Sequence, residues 1–116
     1  MRAADDGGEA VAAEALRRGE GRVAQAAAHR ALALTPDSPV AWNIVGTLAI
    51  GAGDLPRALA AFGRAGALDD GPRSAVNRAM ALERAERWGE SLAAYAAVLR
   101  RFPGHSKAAE RHAVVS

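Results

Sequence analysis

Three stretches of the chain can be laid over one another, and their spacing limits the available folds more than any other feature. The stretch Ala24-Gln25-Ala26-Ala27-Ala28, running on to Leu34-Thr35-Pro36, comes first. Ala58-Leu59-Ala60-Ala61-Phe62, running on to Asp69-Asp70, starts 34 residues later, and Ser91-Leu92-Ala93-Ala94-Tyr95, running on to Phe102-Pro103, 33 residues after that. The one-residue loss fits in the turn around Asp69-Asp70-Gly71-Pro72. A unit of this length holds a helix, a tight turn and a second helix. Such a unit cannot bury its apolar face alone, and about three must stack to be stable.

Composition and punctuation agree on helices. Ala supplies 31 of the 58 hydrophobic residues, and Leu outnumbers Ile by ten to two. Ala is the best helix former and a poor strand former, so a core of Ala with a few large anchors means closely approaching helices. Breakers divide the chain at Gly19-Glu20-Gly21, Thr35-Pro36-Asp37-Ser38-Pro39, Gly51-Ala52-Gly53-Asp54, Asp69-Asp70-Gly71-Pro72, Glu86-Arg87 (a turn without glycine) and Phe102-Pro103-Gly104-His105-Ser106. Ser38 followed by Pro39 reads as an N-cap and first helical position, and Asp54 as another N-cap. The expected helices are 8–18, 22–34, 39–51, 55–68, 72–86, 89–101 and 106–114. Small residues (Ala12, Ala24, Gly46, Ala58, Ala79, Ser91) fall where paired helices would touch, and larger ones (Trp42, Val45, Leu59, Phe62, Leu82, Tyr95) fall between them. Gly63 and Gly66 interrupt the fourth helix without a reason visible in the sequence.

The register resembles the tetratricopeptide repeat family, whose pattern is W-x2-L-G-x2-Y, then A-x3-F, then a Pro, over 34 residues. The middle repeat carries it best, with Trp42, Val45-Gly46, Ala49, Ala58 and Phe62, although Asp70 replaces its Pro. The first is similar at Val11-Ala12, Ala15, Ala24, Ala28 and Pro36, the third at Ala75, Arg78-Ala79, Leu82, Ser91, Tyr95 and Pro103. The resemblance covers residues 5 to 105. It implies an all-α, right-handed superhelix of antiparallel helical hairpins, a single domain over 1–116 with repeats near 5–38, 39–71 and 72–105 and a capping helix at 106–114.

The resemblance also implies a function: a protein–protein interaction module, with no catalysis and no cofactor, that holds a peptide or helix on the concave face lined by the first helix of each hairpin. Carried over by register, that face comprises Glu9, Ala13 and Arg17; Val40, Asn43, Ile44, Thr47 and Ile50; and Arg73, Val76, Asn77, Met80 and Arg84. Asn amides can bridge a peptide backbone, Arg can pair with carboxylates, and Met offers an adaptable apolar contact. The carboxylate clamp that some relatives use for acidic chaperone tails is not expected: its places read Glu9, Ala13, Ile44, Arg73 and Asn77, of which only Arg73 matches. Similar bacterial repeats often precede sulfotransferase, glycosyltransferase or hydroxylase domains, so a truncated interaction region of a larger enzyme is the alternative. The exposed end faces also allow end-to-end self-association into a structural adaptor.

Other chemistries find little support. Net charge is +2, with 14 Arg and a single Lys, but acids are interspersed and no basic tract occurs, so a nucleic-acid partner is not expected. The chain has no Cys, which suits the cytosol and excludes thiolate metal sites. His105 and His112 stand seven apart, not at chelating i, i+4 spacing. The adjacent pairs Asp5-Asp6 and Asp69-Asp70 sit at ends or turns, where Asp caps helices. The N-terminus lacks the apolar stretch of a signal peptide, and no apolar run reaches the roughly 18 residues of a membrane span.

Overall fold

The structure, a computed structural model, describes residues 8–116. The Asp5-Asp6 pair and the expected start of the first repeat lie outside the described residues. Among the described residues seven helices follow one another: α1 (Glu9–Arg17), α2 (Gly21–Leu34), α3 (Pro39–Gly51), α4 (Leu55–Leu68), α5 (Pro72–Arg84), α6 (Trp88–Arg101) and α7 (Ser106–Val115). Each lies within two residues of its expected bounds, and no strand occurs among the described residues.

The helix ends show why. Ser38 caps α3 by accepting from the Ala41 N–H at 3.0 Å, with Pro39 next in the chain. Asp54 caps α4 by accepting from the Arg57 N–H at 3.1 Å. His105 Nδ1 does the same for α7, accepting from the Ala108 N–H at 3.1 Å. At the tip of each hairpin the chain leaves its first helix through a left-handed residue, Gly19 (φ 76°), Gly53 (φ 77°) and Glu86 (φ 62°). The residue after each closes the turn by donating back over five positions: Glu20 to Ala15, Asp54 to Ala49 and Arg87 to Leu82, all at 2.8–2.9 Å. This is the backbone-only seal of a helix C-terminus that glycine makes easy. In the third repeat Glu86 adopts it at a steric cost glycine would avoid.

Packing follows sequence order. α1 pairs with α2, α3 with α4 and α5 with α6, and each second helix leans on the next first helix; α7 closes the stack on α6. The first helices also touch one another, α1 against α3 and α3 against α5, while the second helices make no comparable contact. The stack, 46 × 27 × 22 Å, therefore closes toward its first helices. Ala12, Ala24, Ala58, Ala79 and Ser91 have no exposed surface at all. Gly46 lies against the Phe62 ring so closely that a Cβ there would overlap the ring edge. Gly63, by contrast, has no neighbour within 4 Å, and a Cβ on Gly66 would meet Ser74 at an ordinary 3.7 Å, so no close contact accounts for either.

Gly46→Ala is expected to destabilise the chain by about 1–3 kcal/mol, because Phe62 must leave its site in a filled core. Glu86→Gly is expected to stabilise it by about 1 kcal/mol by relieving the left-handed turn. Chemical denaturation of both variants checks the two signs.

Candidate partner-binding groove

The first helices of the stack carry the residues expected to face a partner, and the structure sorts them into three groups. α5 presents Arg73, Asn77, Met80 and Arg84 at steps of four, three and four, which is one stripe along one face. Arg73 and Arg84 are exposed, and Asn77 and Met80 are half-buried between them. From α3, Val40 and Thr47 are exposed and Ile50 is half-buried. Ile50 and Arg84 share a shallow depression with Leu55 and Ala81 where α3 and α5 diverge. From α1, Glu9 and Ala13 are half-buried and Arg17 is exposed.

A second group is buried and offers a partner no apolar surface. Ile44, 5% exposed, packs in the core with Ala12, Ala28, Val45 and Ala61. Its expected groove contact is corrected: helix rotation turns it toward α1 and α2. Val76 packs with Ala79, Tyr95 and Val98 in the same way. Asn43 is also buried, and its amide works inside the protein. Its Nδ2 donates to Ser74 Oγ at 3.1 Å, and its Oδ1 accepts from Asn77 Nδ2 at 3.2 Å. Thr47 turns its hydroxyl back to the Asn43 carbonyl at 3.0 Å.

The third group is engaged elsewhere by charge. Arg17 pairs with Glu14 at 2.5 Å, and Arg18 joins the same carboxylate at 2.9 Å. These two guanidinium groups hold the exposed Glu14 carboxyl below its ordinary range. Glu9 accepts from Ser38 Oγ, tying α1 to the start of α3. Among the described residues Arg73 and Arg84 enter no ion pair. The α5 stripe therefore carries two exposed cations without an ion-pair partner among the described residues.

Sequence reasoning missed the polar links that hold the first helices in line. Ser74 occupies the place in α5 that Ala41 holds in α3, and its hydroxyl receives Asn43. The largest link anchors α7. Glu83 of α5 accepts from the Tyr95 hydroxyl at 2.8 Å and pairs with Arg111 of α7. A tyrosine where the preceding repeat has Phe62 was the signal: a buried ring with a hydroxyl needs an acceptor. Arg111 lowers the Glu83 pKa against the opposing effect of burial, with a smaller contribution from Tyr95. Burial, and then the Glu83 carboxylate, push the Tyr95 phenol upward.

The comparisons with known proteins agree with this architecture. The family model described as tetratricopeptide repeat matches residues 10–75 and 76–115. The chain belongs to the tetratricopeptide repeat family. Among curated proteins none matches it. A Thermobaculum terrenum O-GlcNAc transferase mutant is similar in structure, with a TM-score of 0.84 and 23% identity, over 99% of this chain and 23% of the transferase chain. A thermophilic TPR protein of Thermus thermophilus is similar with a TM-score of 0.78 and 24% identity, over 84% of this chain and 50% of that one. At these identities the likeness is one of fold. This chain spans half or less of either protein's length.

The Glu83 link carries a pH dependence of defined sign. Its folded pKa lies below its unfolded value, so its contribution is complete above the unfolded pKa of about 4.3 and is lost as pH falls through the folded pKa. Tyr95 acts at the other end: its raised folded pKa means stability falls as pH rises beyond about 10. Melting curves of wild type and Glu83→Gln from neutral pH to about pH 3 check the acid arm. The difference between the two proteins should shrink as pH falls, and a difference that grew would contradict the assignment.

Proposed function

We propose that the protein is an interaction module whose first-helix face holds a segment of a partner protein rich in acidic and apolar residues. The observation that carries this reading is the α5 stripe, with Arg73 and Arg84, exposed and unpaired among the described residues, at its ends and Asn77 and Met80 between. Eleven residues of helix place the two arginines about 16 Å apart on one face. An extended segment covers that distance in about five residues, a helical one in three turns. Carboxylates at that separation can pair with both guanidinium groups. Met80 receives an apolar side chain between them, and the Asn77 amide, steadied by Asn43, meets the segment's backbone. Glu9 and Thr47 border the groove from α1 and α3. Family membership supports the general role, since tetratricopeptide repeats generally bind proteins and do not themselves catalyse. On this reading the module needs no cofactor and acts in the cytosol.

A second reading, the interaction region of a larger enzyme, is favoured by one observation: the similar part of the Thermobaculum terrenum transferase is 23% of that chain. The intact mass of the native protein, against the 11.9 kDa of this sequence, separates the two.

The groove is tested by affinity capture from native lysate with mass-spectrometric readout. Wild type is compared with the combined variant Arg73→Glu, Asn77→Ala, Met80→Ala and Arg84→Glu, shown to be folded by circular dichroism. Asn43 is left intact because it ties α3 to α5. A partner with an acidic, apolar segment should be held by wild type and lost by the variant. Capture of the same partner by both would move the site to another face.

A further inference from the structure

We infer that the N-terminal face of the α1–α2 hairpin docks an amphipathic helix of a partner protein, one with a small residue and a large apolar residue four positions apart and acidic residues on its flanks. Gly8, Val11, Arg22, Val23, Ala26, Ala27 and Arg30 line an open apolar cradle at this end of the stack. Moved on by 34 residues, Val11, Ala26, Ala27 and Arg30 become Val45, Ala60, Ala61 and Arg64, which with Trp42 and Arg57 line the corresponding cradle between α3 and α4. α2 covers part of the inner cradle and forms one wall of it, with Leu32 and His29 on the lining and Ala28 packed against Val45 and Ala61.

Occupation decides burial. Val45 and Ala61 are 7% and 3% exposed, while Val11, the counterpart of Val45, is 48% exposed, as is Val23 beside it. The outer cradle thus repeats a helix-packing surface on which no helix of the described residues lies. The face that α2 brings to the inner cradle, Ala28 followed four residues later by Leu32, gives the chemistry of the occupant. Gly8 stands where the inner cradle has the Trp42 ring, so the outer cradle has room for a leucine or a larger side chain. The flanks follow from charge. Arg64 lies over the Trp42 ring at 4.6 Å, whereas its counterpart Arg30 has only Gly8 at that place. Arg22 and Arg30, about two turns apart on α2, enter no ion pair among the described residues and give the α2 side of the cradle a positive character.

A second copy of this chain is a poorer match. Its α2 buries the complementary face in its own stack. The exposed apolar residues of α7, Ala109, Ala113 and Val114, include no large one four positions after a small one.

The test uses the whole chain and a labelled helical peptide with two Ala-x3-Leu steps on one face and glutamates on both flanks, read by fluorescence anisotropy. Saturable binding is expected, reduced about tenfold or more by Val11→Glu, a substitution at an exposed position that leaves the stack folded. Arg30→Glu should weaken the glutamate peptide and favour a version with lysines at the flanks. The groove variant described above should bind the peptide as wild type does, which keeps this proposal distinct from the groove. Absence of saturable binding would overturn the inference, as would equal binding by folded Val11→Glu. A wild-type dimer that Val11→Glu abolishes, without peptide binding, would give this face to a second copy and also overturn it.

Discussion

The stack depends on how near its helices can come. Gly46 lets the Phe62 ring lie against the α3 backbone, and Ala12, Ala58, Ala79 and Ser91 give comparable clearance elsewhere. With side chains this small at the crossings, few large residues are needed to fill what remains. Tyr95 and Leu82 are the largest wholly buried side chains, and the chain contains only five aromatic rings. The same economy makes each contact local. Every helix packs on neighbours in sequence, so the fold is a row of interfaces and not one central core.

Close packing fixes spacing but not alignment, and a few polar links supply that. Glu9 meets Ser38 between α1 and α3, Asn43 meets Ser74 and Asn77 between α3 and α5, and Glu83 meets Arg111 between α5 and α7. These links run along the first-helix side, where the helices also touch directly. They consume polar groups that a partner would otherwise meet. What stays exposed there are Arg73 and Arg84 at the ends of the α5 stripe, while the carboxylate of Glu83 on the same helix is already paired with Arg111.

A row of interfaces has two ends, and the ends differ. At the C-terminal end α7 covers α6 and is tied down through Glu83 and buried Ala108. At the N-terminal end the described residues leave Val11 and Val23 in solvent. Repetition makes this asymmetry readable, because the inner copy of the same surface shows what covers it.

The sequence by itself determined the helices, their order and the small residues between them. Period, Gly and Pro punctuation and N-capping side chains act over a few residues, so they can be read without knowing the fold. Ser38 and Asp54 as caps, and Gly46 as a small residue at a helix contact, were legible in this way. The groove was only partly legible, because register assigns a helix face to within a residue or so, and one residue is a turn of about 100°. That margin separates Ile44, in the core, from Asn43, whose amide binds α5, while Thr47, three residues beyond Ile44, faces solvent. Whether a polar side chain is free or engaged depends on residues about 30 positions away, as with Asn43 and Ser74 or Glu83 and Arg111. Those partnerships, and with them the charge left exposed on α5 and the exposure of Val11 and Val23, were decided only when the hairpins stacked.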